Sequence, residues 1–264
     1  MSAPRTASLD PRTFALAALR GVGQVMLQPH AGSGLLFLAG LAFASPLLLL
    51  GAVLGTVIGT ATAYLGAFDR EETEQGLYGF NATLVGAAAL ALLKPTFPTF
   101  ALLVVGCVVA TFVMRLALRT LKFPVYTAPF VATAWAILLA SDALAGPGVN
   151  AAPPSPDTPT AGGFFGAVLR GESEIMLGAD AVTGLLFLAG LAVSQPWHAG
   201  MALLGSTAGT AMAIYHGDPS DQISLGLFGY NAALSAIALF LRRRSLALPI
   251  LAALLSTGLT EFFP

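Results

Sequence analysis

Gly34-Leu-Leu-Phe-Leu-Ala-Gly-Leu-Ala42 stands in this chain twice, the second time as Gly184 to Ala192. The interval is 150 residues, and other blocks keep it. Gly59-Thr-Ala returns at Gly209, and Gly76-Leu-Tyr-Gly-Phe-Asn81 returns as Gly226-Leu-Phe-Gly-Tyr-Asn231. Arg20-Gly21 returns as Arg170-Gly171, which sets Gln24 against Glu174. A register shared by so many blocks, without a gap, identifies a duplication. Residues 145–163 are rich in Pro, Gly, Ala, Ser and Thr and read as a linker. The expected division is therefore a first repeat over 1–144, a linker over 145–163 and a second repeat over 164–264.

The repeated blocks lie in apolar surroundings. Residues 21–68, 75–93, 95–114, 123–141, 181–217 and 222–241 hold no Asp, Glu, Lys or Arg. A membrane-crossing helix needs about 20 mainly apolar residues, so the first stretch suffices for two crossings. Ser45-Pro46 breaks it and Gln195-Pro196 breaks its copy, because proline disfavours helix in the residue before it; tight turns between helices are expected. The runs do not alternate polar and apolar residues, which excludes a transmembrane barrel. Arg20 interrupts the N-terminal apolar run too early for a signal peptide, so no cleaved segment is expected. Over the whole chain, charged residues are 9% and hydrophobic ones 56%, with mean hydropathy +0.81. That composition excludes a soluble enzyme, and a net charge of −1 gives nucleic acid nothing to bind. One cysteine and three scattered histidines argue against a metal centre, and no cofactor motif is present. The fold class is an all-α integral membrane protein.

The basic clusters Arg5/Arg12, Arg115/Arg119/Lys122 and Arg242/Arg243/Arg244 are expected in the cytoplasm. That places the N-terminus inside, with the acidic run 69–75 and the linker outside. Crossings over 13–29, 34–48, 49–67, 97–118 and 124–141 satisfy it, provided 76–93 is a re-entrant pore helix that enters and leaves on one side. An odd number of crossings inverts the second repeat, and inverted repeats place a solute path at their interface. Re-entrant backbone survives at membrane depth only beside protein or a water-filled cavity.

Polar residues at depth mark candidate sites. A carboxylate in a membrane helix costs about 2.5–3.5 kcal/mol on insertion scales, which singles out Glu174 and its counterpart Gln24. Glu174 could instead pair with Arg170, four residues back on the same face. Phe80 with Leu84, and Tyr230 with Leu234, share helix faces and could be core packing or walls of a slot. Asn81 and Asn231 read as helix N-caps. Pro124 and Pro129 in one crossing predict a broken helix around Thr127.

Taken together these residues resemble the urea transporter family. Gly-Leu-Tyr-Gly-Phe-Asn followed by Ala-Thr-Leu-Val-Gly-Ala (76–87) is similar to its pore-helix signature. Arg-Gly-x-x-Gln-Val (20–25), Ser-Gly-Leu-Leu-Phe-Leu-Ala-Gly-Leu (33–41) and Thr-Ala-Pro-Phe (127–130) fit as well. The resemblance runs from about residue 13 to 263. It implies a multi-pass protein of the plasma (inner) membrane, a channel-like passive conductor of urea and small amides. It also implies lipid as surroundings, a homotrimer, and a pore between two inverted repeats of about five crossings plus one re-entrant helix each. Gln24, Phe80 and Leu84 match one binding slot, and Glu174, Ile175, Tyr230 and Leu234 match the other. Thr127 matches the narrow middle. Leu27 and Leu177 stand where the family often has phenylalanine, and Tyr230 replaces a phenylalanine, so wider or softer slots are expected.

An ion-coupled transporter would want carboxylates at depth in both repeats, and only Glu174 qualifies. At the offset of 150, Pro264 aligns with Met114, so nothing in 164–264 matches residues 115–140. The second repeat reads as C-terminally shortened, and a groove is expected beside Thr127 unless residues 245–264 close it.

Overall fold

The computed structural model describes residues 10–143 and 161–262, and among these every regular element is a helix. The first half carries α1 (Pro11–Gln24), α2 (Ala31–Ala44), α3 (Pro46–Leu65), α4 (Arg70–Glu74), α5 (Phe80–Leu92), α6 (Phe97–Thr120) and α7 (Ala128–Ala143). The second carries α8 (Ala161–Glu174), α9 (Ala181–Ser194), α10 (Pro196–His216), α11 (Ser220–Leu225), α12 (Tyr230–Arg242) and α13 (Ala247–Phe262). The helices α8 to α13 start 150 residues after α1 to α6, so the sequence repeat is a repeat of elements. Most of the expected linker lies outside the described residues. Among the described residues α3 and α6 are long and apolar enough to cross a membrane, and the shorter apolar helices include α2, α5, α9 and α12.

The two proline turns form as read. Ser45 ends α2 and begins α3, its hydroxyl accepting from Leu47 N at 3.2 Å, with Pro46 at the first helical position. Gln195-Pro196 does the same between α9 and α10 without a side-chain cap.

Backbone contact binds α3 to α5. A Cβ on Gly51 would fall 2.2 Å from Gly86 O, and one on Gly55 would fall 2.1 Å from Ala82 O. Small residues here let the two helices approach as packed transmembrane helices do. The halves are joined where α2 crosses α9. Phe37 and Phe187 pack with ring centroids 5.1 Å apart, and each ring sits over the other half's glycine, Gly190 and Gly40. Ser33 Oγ donates to Gly190 O at 2.6 Å, and Thr183 Oγ1 donates to Gly40 O at 2.9 Å, the same bond made twice.

Two expectations about topology fail. Residues 76–93 do not enter and leave on one side. Helix α5 runs antiparallel to α3, with Tyr78 O beside Gly59 and Gly86 beside Gly51. Helix α6 then returns alongside: Thr99 Oγ1 bonds Lys94 O at its start, and Arg115 Nη1 bonds Gly66 O near its end. Those two points are about 24 Å apart at 1.5 Å per residue, so α5 exits at the end opposite to its entry. Only the turn 75–79 dips before the helix begins. The second correction follows from the first. The acidic run 69–75 lies at the same end as Arg115, whose guanidinium also covers the Phe68 ring at 3.9 Å. The start of α1 is there too, with Phe14 packed on Tyr64. The basic clusters do not by themselves place the run 69–75; its side rested on the number of crossings assumed before it.

Candidate functional site: a cavity between the two halves

The helix α1 ends in a Schellman turn: Gln28 N bonds Gly23 O at 3.0 Å and Leu27 N bonds Gln24 O at 2.9 Å. The residue after such a cap adopts a left-handed conformation, normally on glycine. Here it is Leu27, at φ 60°. Helix α8 ends identically, with Gly178 N on Ser173 O, Leu177 N on Glu174 O, and Leu177 at φ 65°. Leucine is disfavoured in this region, so both copies hold strain at equivalent places. What leucine gives that glycine cannot is an apolar side chain beside the last helical residue, Gln24 or Glu174.

The end of α1 faces a cavity of about 380 Å³. From the first half it is lined by Gln24, Val25, Leu27, Phe80, Tyr126 and Thr127. From the second half come Asn231, Leu234, Ser235, Ala238 and Leu239 of α12, and Leu248, Leu251, Ala252 and Leu255 of α13. Gln24 Nε2 donates to Gln75 O at 3.1 Å, which leaves its Oε1 as the group able to accept from a solute. Next to it Arg20 Nη1 donates to Glu74 O at 2.9 Å. Above this turn a charged recess of about 400 Å³ is lined by Arg20, Arg70, Glu71, Glu74 and Gln75.

Asn81 is not an N-cap: Gly79 takes that place and makes no side-chain bond. Fully buried, Asn81 donates from Nδ2 to Tyr126 O at 3.3 Å and accepts at Oδ1 from Phe130 N at 3.0 Å. It thus pairs backbone groups that the break between α6 and α7 leaves free. The break is as expected from the two prolines: 121–127 is non-helical, Tyr126 has φ 43°, and Thr127 O accepts from Val131 N at the start of α7. Asn231 is not an N-cap either, since Gly229 takes that place without a side-chain bond. Its Nδ2 donates to Thr260 Oγ1 at 3.2 Å, and the residue lines the cavity.

Of the expected slot residues, Gln24, Leu27, Phe80, Thr127 and Leu234 come together in this cavity. Leu84 and Ile175 are core residues at 2% and 6% exposure and do not line it. Glu174, Leu177 and Tyr230 do not line it; each is half-buried, and Glu174 is within electrostatic reach of the Tyr230 phenol. Arg170 does not pair with Glu174; its Nη1 donates to Ser224 O at 2.8 Å, as Arg20 does to Glu74. Sequence reading missed Val25, Tyr126, Ser235, Ala238, Leu239 and the α13 leucines. The spacing 231, 235, 239 and 248, 252, 255 marks single helix faces, and that pattern was available as a signal.

Helix α13 packs on α10 and α12 as α6 packs on α3 and α5, so it occupies the place of α6 and not that of α7. It does supply cavity wall. Leu251 and Leu255, which line the cavity, are 53% and 61% exposed, so the cavity is open along α13.

Duplicated apolar helices around an amide-bearing cavity define a membrane protein with a solute-sized chamber where its halves meet. A family model described as urea transporter matches residues 15–263. Urea transporter 1 of Mus musculus is 29% identical over 240 residues, covering 84% of this chain and 61% of the relative. Urea transporter 1 of Ovis aries is 28% identical over 238 residues, and that of Rattus norvegicus 29% over 236, with the same two coverages. The chain belongs to the urea transporter family, a family of transporters and not of enzymes. It spans about 61% of the length of these relatives.

Proposed function

We propose that this protein conducts urea and small amide analogues passively across a membrane, through a path between its two repeats. The observation that carries the reading is the cavity in which the amide of Gln24, its Nε2 already donated to Gln75 O, stands among apolar side chains from both halves. Urea is flat, neutral and rich in N–H donors. Gln24 Oε1 accepts in the plane of the molecule, while Phe80, Leu27 and Leu234 meet its faces. Replacing water by fixed acceptors is how narrow pores select, and apolar walls exclude ions because desolvating a charge is costly.

In this reading the chain comprises a first repeat over 1–144, a linker over 145–163 and a second, inverted repeat over 164–264. The end bearing Arg12, Arg115 and Arg242–Arg244 faces the cytoplasm of an inner membrane. Gln24, Leu27 and Phe80 form one slot, which Leu84 backs from the core. Glu174, Leu177 and Tyr230 form its counterpart, backed by Ile175, with Thr127 and Leu234 in the constriction between the two. Three copies assemble with a separate path in each.

Stopped-flow urea efflux from proteoliposomes tests this. The expected result is saturable flux above that of empty vesicles, unaffected by membrane potential or a proton gradient. Accumulation against a urea gradient driven by protons would overturn it.

A further inference from the structure

The loop behind Leu27 is tied to the other half of the molecule, and its copy behind Leu177 is not. Gln28, the residue after Leu27, is 1% exposed. Its Nε2 donates to Met26 O at 2.9 Å, which leaves Oε1 as an acceptor. At 3.1 Å from Oε1 stands Nδ1 of His198, from the first turn of α10. Since Oε1 cannot donate, Nδ1 carries the hydrogen. The imidazole is 8% exposed, and its ring meets Phe240 of α12 edge-on at 6.2 Å. The positions 150 residues away are Gly178 and Leu48, and neither side chain can make this bond. The second loop packs on Ala44 of the first half but makes its hydrogen bonds within its own: Gly178 N bonds Ser173 O, and Asp180 N donates to Ser173 Oγ at 3.4 Å.

We infer that His198 is a positioning residue for the slot around Gln24 and Leu27. Its grip on Gln28 fixes the loop in which Leu27 is left-handed, and so fixes the Leu27 side chain against the cavity. A leucine in that conformation needs surroundings that over-determine it. Here the second half of the protein supplies them. The slot at Gln24 therefore discriminates solutes by size more strictly than the slot at Glu174, whose loop ends in Gly178. This inference rests on the urea-conducting reading above.

The test compares the parent protein with His198→Leu, the residue of the repeat-related Leu48, and with His198→Gln, which keeps an N–H for Gln28. Urea and N-methylurea fluxes are measured in proteoliposomes, with folding checked by size exclusion. His198→Leu should raise the ratio of N-methylurea to urea flux by about threefold or more, consistent with loss of one buried hydrogen bond. It should also raise the half-saturating urea concentration more than it lowers the maximal flux. His198→Gln should restore both parental values. A merely structural histidine would change the yield of folded protein and leave ratio and half-saturation alone, which overturns the inference. So would a glutamine variant that behaves like the leucine one. Should His198→Leu fail to fold, Gln28→Met removes the same acceptor and is held to the same outcomes.

A readout without urea separates the two proposals. Hydrogen exchange of residues 24–29 should accelerate in His198→Leu while residues 174–179 are unchanged. If the parent shows no urea flux, the conducting reading fails and exchange still decides the tie: equal exchange in parent and variant overturns it.

Discussion

Asn81 and Asn231 stand one residue into the same helix in the two copies, and their amides have been put to different uses. Asn81 is fully buried and closes the gap before α7, with one bond given and one received. Asn231 reaches a threonine hydroxyl on α13 and faces the cavity. Around the first, Thr127 and Phe80 are clasped to each other's elements. Around the second, α13 presents the exposed Leu251 and Leu255. One amide thus serves as a clasp where the backbone is broken and as a wall where it is not. The chemistry at one repeated position is set by what the neighbouring segment leaves unpaired.

Where the two halves are equal, equal effects are expected, and the largest belong there. A Cβ on Gly34 would lie 1.9 Å from Leu19 O, and one on Gly184 would lie 1.9 Å from Leu169 O. Gly34→Leu and Gly184→Leu should each destabilise by about 3 kcal/mol or more through overpacking, read as lower thermal midpoints in detergent. Unequal losses would show that the repeat does not bear load evenly.

At the asparagines the halves should part. Asn81→Ala leaves the part-buried Phe130 N–H and Tyr126 carbonyl without their side-chain partner and should cost about 2 kcal/mol, whereas Asn231→Ala, which loses a single bond, should cost about 1 kcal/mol or less. Chemical denaturation in micelles would show it, and equal costs would break the comparison.

Glu174→Leu should lower urea flux about tenfold, the equivalent of one hydrogen bond of roughly 1.4 kcal/mol. Glu174→Gln, which makes the second slot chemically like the first, should retain most of it. Equal flux in the two variants would remove Glu174 from the path.

Leu27→Gly and Leu177→Gly relieve a left-handed leucine, a gain of roughly 1–2 kcal/mol offset by lost apolar contact. Net changes within about 1 kcal/mol, alike in the two halves, are expected from the same melts.

The smallest effect concerns the corner after α10. Where the first half has Phe68, the second has Asp218, beside His216 and Glu261. Burial first, and the Glu261 charge second, hold the Asp218 carboxyl above its usual value. Folding then favours its protonated form. The contribution to stability is present below the unfolded pKa and is lost as pH rises through the raised one. Asp218→Asn should be slightly more stable than the parent at pH 7 and lose that advantage toward pH 4. A constant difference between the two melts across that range would rule out this titration.

The helices were largely legible in the sequence, since an ungapped repeat and charge-free runs fix their number and order. Ser45-Pro46 and the Thr127 break were readable because proline acts locally. The turns at Leu27 and Leu177 were not, because no glycine occupies the left-handed position and the conformation there is imposed by the packing around the loop. The direction of α5 was misread because it was inferred from the basic clusters and a count of crossings, when only contacts such as Arg115 to Gly66 could decide. Half of the cavity wall escaped because α12 and α13 meet Gln24 across more than 200 residues of chain, a distance over which spacing carries no information.

The crossing of α2 and α9 has a consequence for how such a gene can change. Each phenylalanine is seated on the other copy's glycine, so enlarging Gly190 obliges Phe37 to shrink, and the reverse holds for Gly40 and Phe187. Neither copy can drift here alone, because a tolerated change needs a matching one 150 codons away. That mutual veto is a physical reason for Gly34–Ala42 and Gly184–Ala192 to have stayed letter for letter alike while the flanking helices diverged.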